Sequence, residues 1–332
     1  MDTHGTIGHL VLSQPATLNA LTLEMVQSLH AGLDSLENDD TVRLIIIRSA
    51  SSRAFCAGGD MKHIRQLCLA EDYAAVEEYF SREYALNLAI SRCTKPYLAL
   101  IDGVAMGGGL GISVHGRFRV VTERASMSMP ETRIGFFPDV GASWFLPRLP
   151  QRCGYWMALT AAPVTARQAV QAGLATHYLA SDSLTALVQT LQGDLQTDAA
   201  SEISVESVVE RTLRRLSPVD NEQAAARQFQ DTLRQRARWF VDDDLPGIRA
   251  RLHRASNEFD DAAWMLSSLD SASPYSLATT IDLFQQARGL DLRACLQLEF
   301  ATARAACRHP DLIEGVRAVL VDKDRHPDWR DA

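Results

Sequence analysis

The sequence predicts an α/β fold continuing into a helical C-terminal region, and three observations carry that expectation. Short apolar runs alternate with amphipathic stretches through the first half, as in strand–helix units. From about residue 181 the pattern turns almost wholly helical, with charged and Gln-rich faces. Two glycine-rich segments, 54–62 (AFCAGGDMK) and 102–111 (DGVAMGGGLG), each follow a strand-like run. The division expected from this change of pattern is a core domain over 1–200 and a helical region over 201–332.

Element by element, residues 7–12 and 42–48 read as strands. The helix between them, 22–36, sets Leu23, Val26, Leu29, Leu33 and Leu36 on one face. Residues 97–101 and 118–122 read as two further strands, and 107–115 between them as a helix led by glycines. Helices are expected over 205–216, 222–240, 275–288 and 292–308. The acidic run 242–244 precedes Pro246 and Gly247 and reads as a solvated loop.

Composition bounds the function. Of 332 residues, 46% are apolar and 22% charged, the balance of a folded globular chain. The formal charge of -8 comes without a long basic stretch, so a nucleic acid would meet net repulsion and is not an expected partner. A small anionic ligand needs only a few local contacts and is not excluded by that charge. Cys56, Cys68, Cys93, Cys153, Cys295 and Cys307 are scattered without a C-x-x-C pair, so no metal site is expected and free, buried thiols in a reducing compartment are. No run approaches the ~20 apolar residues that span a bilayer, and a strand-like segment begins close to Met1, so no membrane association and a cytoplasmic location are expected.

The glycine spacing in 102–111 is not G-x-G-x-x-G, and no acidic residue sits where a dinucleotide site would have one. Glycines that merely let a helix pack close to a strand explain either segment alone. Two such segments together can aim two backbone N–H groups at one point. Paired donors of that kind stabilise the charge that grows on a carbonyl oxygen under attack, and loss of one typically raises the barrier by ~3 kcal/mol. A helix starting at Gly108 would add the positive end of its dipole. Farther on, Glu131 and Asp139 lie eight positions apart in MPETRIGFFPDVG, with Gly135 and Pro138 between them, so a loop rather than one helix face carries them. Paired carboxylates can divide acid and base roles, though surface or capping acids fit the same spacing.

The two glycine segments, about fifty residues apart and followed by MPETRIGFFPDVG, resemble the crotonase (enoyl-CoA hydratase/isomerase) superfamily. The resemblance implies a crotonase-like ββα superhelix core. It implies an oxyanion hole made by the N–H groups of Gly59 and Gly108, and a cradle for coenzyme A formed by Asn19, Ala20 and Leu21 with Ala57, Gly58, Asp60 and Met61. Asp60 is also read as a cap of the following helix. Hydratases of the superfamily carry an acid where this chain has Gly111, and dienoyl-CoA isomerases do as well. Gly111 combined with Glu131 and Asp139 is instead the pattern of its 3-hydroxyisobutyryl-CoA hydrolase subfamily, which SREYALNLAI, ISVHGRFRVVTE, FLPRLP and EGVRAVLVDKDRHPDW also resemble. Residues 142–144 depart from it: Ala142, Ser143 and Trp144 stand where glycines and a tyrosine are usual, bulk that would reshape an acyl pocket.

Hydrolysis of short 3-hydroxyacyl-CoA thioesters is the activity so implied, with enoyl-CoA hydration or isomerisation and non-catalytic acyl-CoA binding as alternatives. Glu131 would attack the thioester or activate water, and Asp139 would orient water or substrate and assist proton transfer to the thiolate. Glu83 would hydrogen-bond the β-hydroxyl, against the plain reading of a solvated helix glutamate. No separate cofactor is implied, since coenzyme A belongs to the substrate. The C-terminal helices would pack between subunits of a homo-oligomer or fold back on their own chain, and the sequence leaves both open.

Overall fold

The fold is known from a computed structural model describing residues 2–51, 53–197, 203–217 and 223–330. Two compact units emerge, each assembled from three stretches of chain: Met1–Gly59, Ala85–Met127 and Val164–Ala226 in the first, Asp60–Tyr84, Ser128–Pro163 and Arg227–Ala332 in the second. The boundary expected at 200/201 lies outside the described residues.

The strands, in chain order, are β1 (Asp2–His4), β2 (Ile7–Leu12), β3 (Leu44–Ser49), β4 (Ala54–Cys56), β5 (Tyr97–Ile101), β6 (Val104–Met106), β7 (Phe118–Val121), β8 (Ser126–Ser128), β9 (Val164–Thr165) and β10 (His177–Tyr178). A six-stranded sheet runs β1-β2-β3-β5-β7-β10, parallel except for the β1–β2 hairpin. Ile7 sits opposite Leu44, Ile45 opposite Tyr97, and Leu98 opposite Phe118. Parallel neighbours need a crossover, and the helix Leu23–Glu37 supplies the one from β2 to β3. Thr22 starts it by accepting from the Met25 N–H (3.2 Å), and Val26, Leu29, Leu33 and Leu36 form its buried face. On the sheet, Ile7, Leu44, Ile46, Leu98, Leu100, Phe118 and Val120 meet Leu187, Leu191 and Leu195 of helix Leu184–Thr197 and Val208, Val209 and Leu213 of helix Val205–Leu216. Each such side chain, fully enclosed, contributes about 1.5–3 kcal/mol. A second sheet in the same unit runs β4-β6-β8-β9.

The glycine-led helix expected over 107–115 spans only Gly108–Gly111 and then dissolves into turns. Ser113 ends it: its hydroxyl bonds back to the carbonyls of Gly109 (2.8 Å) and Leu110 (3.2 Å), competing with a further helical turn. A single turn carries little dipole, so that part of the expectation falls away.

The second unit is mainly helical. Helices Met61–Leu69, Leu245–Ala255, Pro274–Gln286 and Leu292–Ala306 are started by the side chains of Asp60, Asp244, Ser273 and Asp291, each accepting a backbone N–H of the first turn. Helix Cys153–Thr160 is apolar and buried on every side. The acidic run is more than a solvated loop: Asp242 pairs with Arg251, Asp243 with Arg152 and Arg288, and Asp244 is the cap. An Arg-rich neighbourhood, invisible in local sequence, explains the difference.

Candidate active site

In the first unit, β4 and β6 lie side by side and parallel, with Ala54 opposite Val104 and Cys56 opposite Ala105. Both strands therefore end at the same edge, and a glycine turn follows each. Gly58 has φ +100 and Gly107 φ +47, left-handed values that side chains rarely tolerate. A β-carbon on Gly58 would stand 3.2 Å from the Met106 carbonyl oxygen and 3.7 Å from the Gly108 nitrogen, so the two turns are in contact. One on Gly109 would stand 2.4 Å from the Cys56 carbonyl oxygen, which is why that position has no side chain. Among the described residues neither the Gly59 nor the Gly108 N–H donates to a backbone or side-chain acceptor.

The segment 19–21 braces the first turn. The Asn19 side chain is fully buried and donates to Ser49 Oγ (2.8 Å) and the Phe55 carbonyl (2.9 Å), while its own oxygen accepts from the Gln14 N–H (2.8 Å). The Leu21 N–H donates to the Gly58 carbonyl (2.8 Å), and the Ala57 N–H to that of Leu18 (3.0 Å). With Asn19, Leu21 and Gly58 buried, Ala20, Ala57 and Gly59 are the partly open positions of segments 19–21 and 57–59. Asp60 accepts from the His63 N–H (3.1 Å) as the cap, and Met61 begins the capped helix.

The acids gather in the second unit. Glu131 opens a 3-10 turn, Glu131–Ile134, that ends at Gly135 with φ +73. A β-carbon on Gly135 would be 2.0 Å from the Asp311 carbonyl oxygen, so helix Pro310–Val316 seats the turn directly. Phe136 and Phe137 then stack on each other, ring centres 4.5 Å apart, and Phe136 stacks on Phe80 of helix Tyr73–Arg92 at 5.4 Å. That aromatic row sets the next turn of the helix, with Glu83 and Tyr84, beside Asp139. The Tyr84 hydroxyl donates to Asp139 Oδ2 (2.8 Å). Beyond Asp139 the chain starts helix Ala142–Phe145, whose first amides have no acceptor within the helix. Glu299, from helix Leu292–Ala306, supplies it: it accepts from Gly141 N–H (2.7 Å), Ser143 N–H (2.9 Å) and Ser143 Oγ (2.5 Å). The departure noted at 142–144 thus places Ser143 on Glu299, while the Trp144 ring lies under the Arg148 guanidinium, 4.9 Å from its centre.

Glu83, Glu131, Asp139 and Glu299 are 2, 7, 5 and 0% exposed, and among the described residues no cation pairs with any of them. A solvated Glu83 is therefore ruled out. Charge in such surroundings is disfavoured, and like charges raise one another. Burial, then the neighbouring Asp139, holds Glu131 and Glu83 well above the usual carboxylate range. Burial pushes Glu299 up to about 8 against the pull of its donors. Asp139 rises to about 7 through burial, checked by the Tyr84 hydroxyl. Carboxyls whose surroundings raise their proton affinities to different extents can divide base and acid roles. Glu83 Oε1 and Glu131 Oε2 are buried with no hydrogen-bond partner among the described residues, and buried polar atoms ordinarily have one.

Of the expected residues, Glu83, Glu131 and Asp139 thus come together in one unit, and Asn19, Ala20, Leu21, Ala57, Gly58, Gly59 and Gly108 in the other. Tyr84 and Glu299 were not expected. A helix tyrosine beside a glutamate reads as core, and Glu299 bonds to residues 158 and 156 positions away, a link no local pattern reveals.

The enoyl-CoA hydratase/isomerase family profile matches residues 7–332. A human protein named 3-hydroxyisobutyryl-CoA hydrolase, mitochondrial, is 38% identical over 333 residues, covering 100% of this chain and 84% of its own length. The Gallus gallus protein of the same name is 36% identical, with the same coverage. Among solved structures, an enoyl-CoA hydratase from Rhodobacter sphaeroides 2.4.1 superposes with a TM-score of 0.83 at 34% identity, covering 98% of this chain and 90% of its own. A carnitinyl-CoA dehydratase from Mycobacterium thermoresistibile gives 0.87 at 32% identity, covering 99% and 90%. These neighbours bear out the α/β class and the helical C-terminal region read from the sequence.

Proposed function

We propose, from the premise that this chain belongs to the enoyl-CoA hydratase/isomerase family, that it hydrolyses short 3-hydroxyacyl-CoA thioesters of the 3-hydroxyisobutyryl type to the free acid and coenzyme A. The observation that carries the proposal is the buried group of Glu83, Glu131 and Asp139, which among the described residues pairs with no cation and in which Glu83 and Glu131 each present an oxygen lacking a partner. Names of relatives 36–38% identical over nearly the whole chain support the substrate class.

Gly59 and Gly108 present the unpaired amides of the first unit, and donors of that kind need no reorganisation as charge grows on a thioester oxygen. Glu131 either attacks the carbonyl carbon, giving an anhydride that water then opens, or takes a proton from water that attacks directly. By both routes water oxygen ends on the acyl carbon, the C–S bond breaks, and the thiolate leaves with a proton delivered through the acid cluster. Asp139, the readiest of the four to ionise, exchanges that proton with Glu131. Glu83 Oε1 accepts from the substrate β-hydroxyl. Coenzyme A is assigned to the partly open backbone at Ala20, Ala57 and Gly59.

Enoyl-CoA hydration is the second reading, favoured by the solved structure named as a hydratase at 34% identity. Incubation with 3-hydroxyisobutyryl-CoA and a disulfide reagent separates the two, because only hydrolysis releases a thiol. Thiol release that falls at least ~100-fold in Glu131→Gln, with acyl-CoA binding retained, is expected. Conversion between enoyl and hydroxyacyl thioesters without free thiol would overturn hydrolysis, and binding without turnover on any acyl-CoA would overturn both.

A further inference from the structure

Asp139 accepts the Tyr84 hydroxyl, and that donor is itself fixed. The Tyr84 ring is enclosed and packs on Phe80, ring centres 5.8 Å apart. Phe80 in turn stacks on Phe136, three positions before Asp139 in the chain. Helix and acid loop are therefore registered by aromatic packing, and the hydroxyl meets Oδ2 at 2.8 Å. Downstream, Glu299 holds the Gly141 N–H (2.7 Å), so the carboxyl stands between two anchored points. The Tyr84 bond is made to Oδ2, and among the described residues no side chain donates to Oδ1.

We infer that Tyr84 is a positioning residue of the reaction, which presents Asp139 through Oδ1 and favours its ionised form at working pH. The inference rests on the hydrolase reading and on Asp139 exchanging protons within it. The groups facing Asp139 are Glu83 and Tyr84 on helix Tyr73–Arg92, Glu131 on the 3-10 turn, Glu299 on helix Leu292–Ala306, and Cys307 just past it. Among these, Tyr84 is the one that lowers the Asp139 pKa by donating to it; the other carboxyls, when ionised, repel its charge. A hydrogen bond to the charged form favours that form, so its loss shifts ionisation upward.

The test is Tyr84→Phe, which keeps the ring and its packing, assayed by thiol release from 3-hydroxyisobutyryl-CoA between about pH 5 and 9. The acidic limb of kcat is expected to move up by about one pH unit, kcat below that limb to fall about tenfold, and KM to stay within about twofold. A 3-fluorotyrosine at the same position, a more acidic donor, should move the limb downward instead. An unmoved limb with kcat within about twofold in Tyr84→Phe would overturn the inference, as would a limb shifted the same way by both changes. Absence of thiol release from the unsubstituted enzyme is a different outcome and would sink the hydrolase reading first.

Discussion

Replacing Glu299 by leucine tests how the acid loop is held. The side chain is fully buried and accepts three hydrogen bonds, from the amides of Gly141 and Ser143 and from the Ser143 hydroxyl. Leucine has nearly the same volume and no acceptor, so both amides are stranded at a helix start that offers them no substitute. A hydroxyl can rotate to another partner; an amide cannot. At about 1–3 kcal/mol for each stranded buried donor, the gross loss is about 2–6 kcal/mol. Against it stands the relief of removing a carboxyl whose ionisation burial has already pushed up to about 8, which leaves an expected net loss of about 2–4 kcal/mol. Glu299→Gln retains one carbonyl oxygen and should lose about half as much. Urea unfolding followed by tryptophan fluorescence measures both, with an unchanged slope required for the comparison. A double-mutant cycle with Ser143→Ala should return a coupling of about 0.5–3 kcal/mol. A leucine variant within about 0.5 kcal/mol of the parent, slope unchanged, would refute the claim that Glu299 holds the loop.

The acid cluster also makes stability depend on pH in a stated direction. Asp139 and Glu299 release their protons at about 7 and about 8 when folded, against ordinary values of 3.8 and 4.5, so their contribution is complete below about pH 4 and is lost as pH rises through 7 and 8. The loss is on the order of 4 kcal/mol for each, and urea midpoints that stay level or rise between about pH 5 and 8, or that fall as steeply in Asp139→Asn, would count against it. Gly109→Ala forces the β-carbon against the Cys56 carbonyl and should both destabilise the chain by about 1–3 kcal/mol and slow thiol release by about 100-fold or more; a variant with full activity would show that the amide pair tolerates displacement. Asp244→Ala removes a cap 2.7 Å from the Gly247 N–H and should cost about 1 kcal/mol without touching kcat, as thermal melting and the thiol assay can show.

Strands and amphipathic helices were readable because each repeats a burial pattern within a few residues; β5 and helix Val205–Leu216 have the expected bounds. The segment 107–115 was not readable in full, since the helix stops where Ser113 turns back on its own carbonyls, a local competition that apolar spacing does not register. Nor was the acidic run, whose arginine partners lie on other helices. Glu131 and Asp139 could be singled out from a proline- and glycine-bounded loop, but their burial beside Glu83 arises from an aromatic row that spans two elements. Glu299 was hidden altogether: LQLEFATARAA is an ordinary amphipathic pattern, and nothing in it points to a serine in the middle of the chain.

The separation of 158 positions from Gly141 to Glu299 also bears on how the protein is made. At about 5–20 residues per second, a ribosome delivers the loop on the order of ten seconds before the helix that completes it. During that interval four phenylalanine and tyrosine rings and several acids have no finished seat, a species inclined to associate with its own kind. Yield in a heterologous host should therefore respond to chaperone supply and growth temperature more than the finished fold would suggest.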